Sequence, residues 1–393
     1  MASSFWAGLP FDLIRDISCR LHDAADYVRF HAVCKPWRDT LPPARCRPLF
    51  LPWLLTLSRD DDAVDQRTAR CVFISSNRRR AAATGIRIQH MNWVISACDG
   101  MAARLLTGFP GPVVAGCPLT GSAAAGAPLP GYSEDIKQWV DLAVGTASGD
   151  GTILLCSWVP RRFQWPYDYT SIIFNMALLR PGDKAWMFLR QHHLDDDDEG
   201  IRDHCCVAYH DGMVVVCCQR SLYICSAQPQ ATYRSYRLSS CKTGKIFVES
   251  SYLVESHGEL LWVLVWDTFP ACHQVGVCPN KTPSLSVKVY ALRGGGKHFS
   301  EWEMRDDGQS LADQVLFLGH PTSFVVDASQ LGMIGGCAYF NLHSKQYNRM
   351  IKYNFREHQF EFLEQLPDDF DGKMGTWITP QPVIASTKVC PAC

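Results

Sequence analysis

Four groups of residues in this chain have the types and spacing that chemistry would need. Cys390-Pro-Ala-Cys393 has half the spacing of a zinc site, but no second cysteine or histidine pair sits nearby at a suitable offset. His192 and His193 precede the acidic run Asp195 to Glu199, which as a flanked charge run is the pattern of a solvated loop. Cys205-Cys206 and Cys217-Cys218 flank Asp211-Gly212, so a hairpin there brings the sulfurs toward one another while turning one cysteine of each pair into the core. Three Gly-Lys pairs, at 244–245, 296–297 and 372–373, are followed by Ile246, His298 and Met374. A phosphate loop requires Ser or Thr at that position to reach the metal. The chain has no Gly-x-Ser-x-Gly elbow and no His-Glu-x-x-His helix. No catalytic residue, metal or cofactor is assigned, and the expectation is a protein that is not an enzyme.

The elements that must position any function fall into two textures. Residues 1–48 have helical periodicity. Leu9-Pro10 opens a first helix, in which Leu13, Ile14, Ile17 and Leu21 share one side. Asp26 reads as the N-cap of a second helix carrying Phe30, Val33, Cys34 and Trp37 at helical spacing. Pro36 should end that helix near Cys34, so that Trp37 begins a third short segment, and Pro42-Pro43 closes the unit. Forty residues with this many large apolar side chains need a partner. The unit is either a cap docked on the rest of the chain or a module that docks into another protein.

From Phe50 onward the texture is β. Short runs rich in Val, Ile, Tyr, Phe and Trp occur at 71–75, 152–158, 171–179, 213–218, 221–225, 259–266, 285–292 and 337–342. Amphipathic helices are scarce here: residues 132–142 read either as a helix with Ile136, Trp139 and Val140 on one side or as a loop. Turn dipeptides punctuate the runs: Asp99-Gly100, Asp150-Gly151, Asp211-Gly212, His257-Gly258 and, more weakly, Gly335-Gly336, with Asp307-Gly308 between the last two. Glycine supplies the positive φ that tight hairpins need. The irregular recurrence is near the ~40–50 residues of a propeller blade. A single sandwich core of this size would exceed the ~250–300 residues at which cores split. The fold class expected is α+β multidomain: helices over 1–48, a mostly-β domain over 49–370 with six or seven propeller blades, and a tail over 371–393.

The string LPFDLIRDISCRLHDAADYVRFHAVCKPWRD closely resembles an F-box. The positions that carry the resemblance are Leu9, Pro10, Asp12, Leu13, Ile14, Ile17, Leu21, Asp26, Arg29, Val33, Cys34, Lys35, Trp37 and Arg38, and Pro36 departs from the usual pattern. Cys117-Pro-Leu-Thr-Gly121, Leu129-Pro130, Arg180-Pro-Gly-Asp-Lys-Ala-Trp186, Leu318-Gly319 and Gly336-Cys-Ala-Tyr-Phe340 add a resemblance to a plant family of F-box proteins with a propeller-like C-terminal domain. Cys117 stands where that family has asparagine, and the family's glycine-tryptophan pair is absent.

The resemblance implies a specificity subunit of a Skp–cullin–F-box ubiquitin ligase. Leu9, Pro10, Leu13, Ile14, Ile17, Leu21, Val33 and Trp37 would bind the Skp adaptor, and through it cullin. The β domain would hold a target protein, and catalysis would be by proximity. A module that binds without ubiquitin transfer is the alternative.

The remaining expectations come from composition. The chain has 393 residues, 38 basic and 39 acidic, and a net charge of −1. Neither nucleic acid nor an anionic membrane is an expected partner. No apolar run approaches the ~18 residues of a membrane span. The N-terminus lacks the basic and apolar regions of an export signal. Most of the 18 cysteines, including Cys71, Cys156 and Cys225 in apolar runs, are therefore expected as reduced core thiols of a nuclear or cytoplasmic protein. Aromatics near Trp165 to Tyr169 and Thr268 to Pro270 are either rings packed between blades or candidate contacts for the target.

Overall fold

The computed structural model describes residues 8–42, 46–58, 66–70, 82–87, 93–97, 104–107, 114–116, 129–140, 143–163, 169–193, 205–218, 221–227, 233–237, 247–267, 285–293, 301–305, 309–343, 348–366, 375–380 and 384. Three helices come first: α1 (Phe11–Cys19), α2 (Ala24–Ala32) and α3 (Lys35–Asp39). Pro10 precedes α1 with φ −55 and ψ 140, and its carbonyl accepts from the Ile14 amide at 3.1 Å. Asp23, not Asp26, caps α2: its carboxylate accepts the Asp26 amide at 2.7 Å. Asp26 lies in the first turn and pairs with Arg29 at 2.7 Å. Two aspartates three residues apart offer the same cap signal, and only backbone geometry chooses between them. Cys34 is extended (φ −156, ψ 166), which leaves Pro36 to sit in the first turn of α3.

One polar chain ties the three helices together. The His31 ring donates from Nδ1 to the Trp37 carbonyl at 2.9 Å, so its Nε2 accepts from the Ser18 hydroxyl at 2.8 Å. Ile14, Ser18, Tyr27, His31 and Trp37 are all buried. The Phe30 and Trp37 rings lie 4.5 Å apart. The module is also fastened to the β region. Ala24, Tyr27 and Phe50 form a small core with Leu21, Leu41, Trp53 and Ile384. The Tyr27 and Phe50 rings meet edge-on at 5.0 Å.

Most of the other described residues form β-sheet. The first sheet has the order β24-β1-β2-β3, from β24 (Thr376–Ile378), β1 (Trp53–Ser58), β2 (Gln66–Arg70) and β3 (Ala82–Arg87). The segment 371–393 is thus more than a tail, because β24 within it pairs with β1. The second sheet contains β4 (Trp93–Ala97), β5 (Arg104–Thr107), β6 (Val114–Gly116), β7 (Val144–Ala147), β8 (Ile153–Phe163), β9 (Tyr169–Leu179) and β10 (Met187–His193). Its order is β10-β9-β8-β7-β4-β5-β6, with β4 and β7 parallel. Before β7, the short α4 (Glu134–Lys137) and the turn after it bury Ile136, Trp139 and Val140, the side expected from the sequence, on a shorter helix.

The third sheet runs in chain order through β11 (Cys205–His210), β12 (Met213–Cys218), β13 (Ser221–Ser226) and β14 (Tyr233–Arg237). The fourth does the same through β15 (Phe247–Ser256), β16 (Glu259–Asp267), β17 (Leu285–Arg293) and β18 (Glu301–Arg305). The fifth contains β19 (Gln314–Leu318), β20 (Phe324–Asp327), β21 (Cys337–His343), β22 (Asn348–Asn354) and β23 (Gln359–Gln365), in the order β20-β19-β21-β22-β23, with α5 (Ala328–Leu331) after β20. Strands β19 and β21 are parallel.

The turn dipeptides behave as their chemistry requires. Asp211-Gly212 (φ 48 and 76) and His257-Gly258 (φ 50 and 77) both hold the paired positive φ of primed hairpin turns. Asp99-Gly100 lies outside the described residues. Apolar faces pack sheet on sheet. Phe174, Met176 and Leu178 of the second sheet meet Val207, Val214 and Tyr223 of the third. Cys217 and Leu222 meet Tyr252 and Trp262 of the fourth, which share a core with Leu316 and Phe340 of the fifth. Val315, Phe317 and Phe324 of the fifth meet Leu54 and Trp377 of the first. The Trp377 indole donates to the Leu318 carbonyl at 3.0 Å. Strands β24 and β4, β7 and β11, β11 and β15, and β15 and β20 are neighbours across successive sheets.

The cysteines follow the expectation with one correction. Cys156, Cys206, Cys217, Cys225 and Cys337 are free and buried. Cys205 is disulfide-bonded. Its register partner across the β11–β12 hairpin is Cys218. Among the described residues no helix is long and apolar enough to cross a membrane.

Candidate functional site

The helical module carries the strongest candidate, and it is a surface. Leu9, Pro10, Leu13, Ile17 and Leu21 recur at three- and four-residue spacing along one side of α1 and its ends. Leu13 and Ile17 are 50% and 42% exposed. Val33, at the C-terminal end of α2, is 61% exposed, and Phe11 is 66% exposed. Among the described residues six large hydrophobic side chains are exposed, and four of them are these. Isolated exposed apolar residues are ordinary, but their concentration in one small module marks an interaction surface.

The eight residues expected to contact an adaptor divide into two groups. Pro10, Leu13, Ile17 and Val33 are exposed and Leu9 is half-buried, all within reach of a partner. Ile14 is fully buried and Trp37 is 8% exposed, so both serve the interior of the module. Leu21 is half-buried against the Ala24, Tyr27 and Phe50 core that joins the module to the β domain. Periodicity cannot make this division, because Leu13 and Ile14 are adjacent and both apolar. Phe11 was not among the expected residues. Its signal was an aromatic side chain outside the i, i+4 series of Leu13 and Ile17.

Electrostatics leave this surface nearly silent. Asp12, Arg15, Asp16 and Arg20 surround the apolar stripe and are exposed. The Asp26–Arg29 pair is also exposed and contributes little. Burial lowers the pKa of His31, opposed by its bond to the Trp37 carbonyl. A neutral imidazole therefore holds the helices in register beneath the apolar face. The arrangement can bury surface against a partner, and it offers no nucleophile or acid–base pair.

The other candidates carry less. Among the described residues no group of three or more His, Cys, Asp or Glu side chains is placed to hold a metal. Asp195 to Glu199, Cys390 to Cys393, Trp165 to Asp168, Thr268 to Pro270 and the three Gly-Lys pairs all lie outside the described residues. Cys206 Sγ sits 3.2 Å from His320 Nδ1, but burial holds the thiol well above its ordinary pKa. A buried, protonated thiol is a packing group, not a nucleophile.

Three comparisons bear on this architecture. A family model described as KIB1-4 beta-propeller matches residues 161–362, slightly more than half of the chain. No curated protein matches. Among solved structures, TolB from Acinetobacter baumannii is 10% identical with a TM-score of 0.34, covering 90% of this chain and 69% of its own. A likeness that slight carries no argument about fold or function.

Proposed function

The chain belongs to the KIB1-4 beta-propeller family, and from that premise we propose that it is the target-recognition subunit of a Skp–cullin–F-box ubiquitin ligase. In this reading the helices α1 to α3 are an F-box that holds the Skp adaptor, and the β domain holds a target protein. The observation that carries it is the set of exposed apolar side chains, Leu13, Ile17 and Val33 with Phe11, on a module whose interior is already filled. Covering each side chain supplies up to ~1.5–3 kcal/mol of burial, much of it offset by association entropy. Bond chemistry belongs to the other subunits. This chain raises the local concentration of the target's lysines.

In the same reading the β domain is a six-bladed propeller. Strands β24, β4, β7, β11, β15 and β20 are the inner strands of six blades, and β24 joins the C-terminal end of the chain to the first blade. The succession of neighbouring inner strands supports this count, as does the packing of Phe317 of the fifth sheet on Trp377 of the first. The proposed compartment is the nucleus or cytoplasm.

The test is capture of a purified Skp adaptor by the full chain, compared with the double variant Leu13→Asp plus Ile17→Asp. Binding by the native chain, loss in the variant and unchanged β-domain unfolding are the expected results. No binding by the folded native chain overturns the proposal. Adaptor binding with no recruitment of cullin points instead to an interaction module that works without ubiquitin transfer.

A further inference from the structure

The loop between β19 and β20 does not lie on the surface. Gly319, His320, Pro321, Thr322 and Ser323 are all buried. Connecting segments normally run over the outside, because backbone groups taken from water need replacement partners. This loop finds some of them in itself. The Ser323 hydroxyl accepts from the Gly319 amide at 3.2 Å and lies 3.3 Å from the Gly319 carbonyl oxygen.

Further partners come from three other sheets. At the start of β24, the Gly375 carbonyl accepts the His320 amide at 3.0 Å, and the Thr376 hydroxyl donates to the His320 carbonyl at 2.6 Å. From β11 of the third sheet, the Val207 amide donates to the Pro321 carbonyl at 3.0 Å. Cys206 Sγ lies 3.3 Å from the Gly319 carbonyl oxygen and 3.2 Å from His320 Nδ1. From β15 of the fourth, the Tyr252 ring packs on the His320 ring with centres 4.9 Å apart. The approach to β24 is close enough to require glycine: a Cβ on Gly319 would lie 2.8 Å from the Gly375 carbonyl oxygen and 3.0 Å from Trp377 Cδ1.

Joining two strands does not call for such a loop. β19 and β20 pair antiparallel, with Phe317 opposite Phe324, and a two-residue turn can close a pair of that kind. The extra residues reach β24, β11 and β15 instead. We infer that residues 319–323 are an internal clasp of the β domain. They lock β24 to β11 and β15 and fill the space among these strands, so a partner of the domain is held on its outside and not between them. A ligand entering there would have to displace the bonds to Gly375, Thr376 and Val207. The clasp stands on these contacts and does not depend on the number of blades.

The test uses the full chain and two reporters in β11: hydrogen exchange of the Val207 amide, and alkylation of Cys206 by N-ethylmaleimide read by peptide mapping. Thr376→Val removes the hydroxyl that β24 gives to the loop. It should speed exchange at the His320 and Val207 amides and alkylation of Cys206 by one common factor of about two- to tenfold, the scale of one hydrogen bond. Exchange in β16 and β17 should not change. Gly319→Ala, which forces the loop away from Gly375 and Trp377, should give a larger common factor. If Gly319→Ala fails to fold, Thr376→Val decides. Acceleration confined to residues 375–378, or spread equally over β16 and β17, overturns the inference. So does alkylation of Cys206 in the native chain at a rate near that of the exposed Cys19.

Discussion

The amide of Leu51 donates to the carbonyl of His22 at 2.8 Å, and the His22 ring donates from Nδ1 to the Leu49 carbonyl at 2.9 Å. The loop between α1 and α2 is thereby stitched to the strand that enters the first sheet. Gly332, in the left-handed region at φ 62, closes α5 where a side-chain Cβ would lie 3.7 Å from the same histidine ring. Leu49 and Leu51 thus fasten the connector between the helices and the β domain to the α1–α2 loop.

Removing the apolar part of this joint should loosen the module while the β domain stays folded. Phe50 is 4% exposed and packs on Tyr27. Phe50→Ala should cost about 3–5 kcal/mol locally. Hydrogen exchange of the Leu51 amide is then expected to speed up by about two to four orders of magnitude, with exchange in β15 to β17 unchanged.

Adjacent residues of α1 should separate stability from binding. Ile14→Ala empties a filled interior and should destabilise the module by about 2–5 kcal/mol. Leu13→Ala removes a half-exposed side chain and should change stability by less than ~0.5 kcal/mol. Adaptor affinity should fall with Leu13→Ala. Chemical denaturation followed by helix circular dichroism, beside a binding titration, checks both.

Two histidines should give opposite pH dependences. His31 has its pKa lowered, chiefly by burial. Its contribution is complete above the ordinary value of about 6.5 and is lost as pH falls. His210 has its pKa raised, chiefly by its contact with Glu255. Its contribution is complete below about 6.5 and is lost as pH rises through the higher folded value. Comparing unfolding at pH 5 and pH 8 for His31→Gln and His210→Gln should show the first variant losing most at pH 8 and the second at pH 5.

Trp377 is fully buried, bonded to Leu318 and packed edge-on against Phe317. Trp377→Ala should cost about 3–5 kcal/mol, read as a lower midpoint for the β domain in guanidinium. A loss confined to local exchange near residues 375–380 would show that β24 is peripheral.

Two glycines should fail for different reasons. A Cβ on Gly335 would lie 2.2 Å from the Ala312 carbonyl oxygen, a backbone atom that cannot swing away. A Cβ on Gly212 meets nothing, and its cost is the positive φ of 76 alone, about 1–2 kcal/mol. Gly335→Ala is expected to lower the thermal midpoint further than Gly212→Ala.

Much of the architecture was legible because local patterns agreed with tertiary outcome. Runs such as MVVVCC and ELLWVLVW are continuous apolar stretches bounded by turn residues, and they are strands β12 and β16 nearly to the residue. The turns at 212 and 258 come from glycine's access to positive φ. Strand β24 is three residues long, and its identity comes only from pairing with β1, so no periodicity reveals it. The same holds for Ser18, His31 and Trp37, three ordinary positions that become one hydrogen-bonded chain only when the helices meet. At the candidate surface the sequence named an apolar stripe. Which leucine or isoleucine faces outward is a matter of packing.

The pairing of β24 with β1 also sets an order of events during translation. Strand β1 leaves the ribosome some three hundred residues before its partner. At ~5–20 residues per second that interval is on the order of 15–60 s. Throughout it, the edge of β1 that β24 will cover has no native partner, and nothing yet covers Leu54 from the Trp377 side. The nascent chain thus offers a bare strand edge and an apolar module at the same time, the condition under which chaperones are recruited. A premature stop just ahead of β24 would leave the first sheet permanently open, although every residue of β1 to β3 had been made.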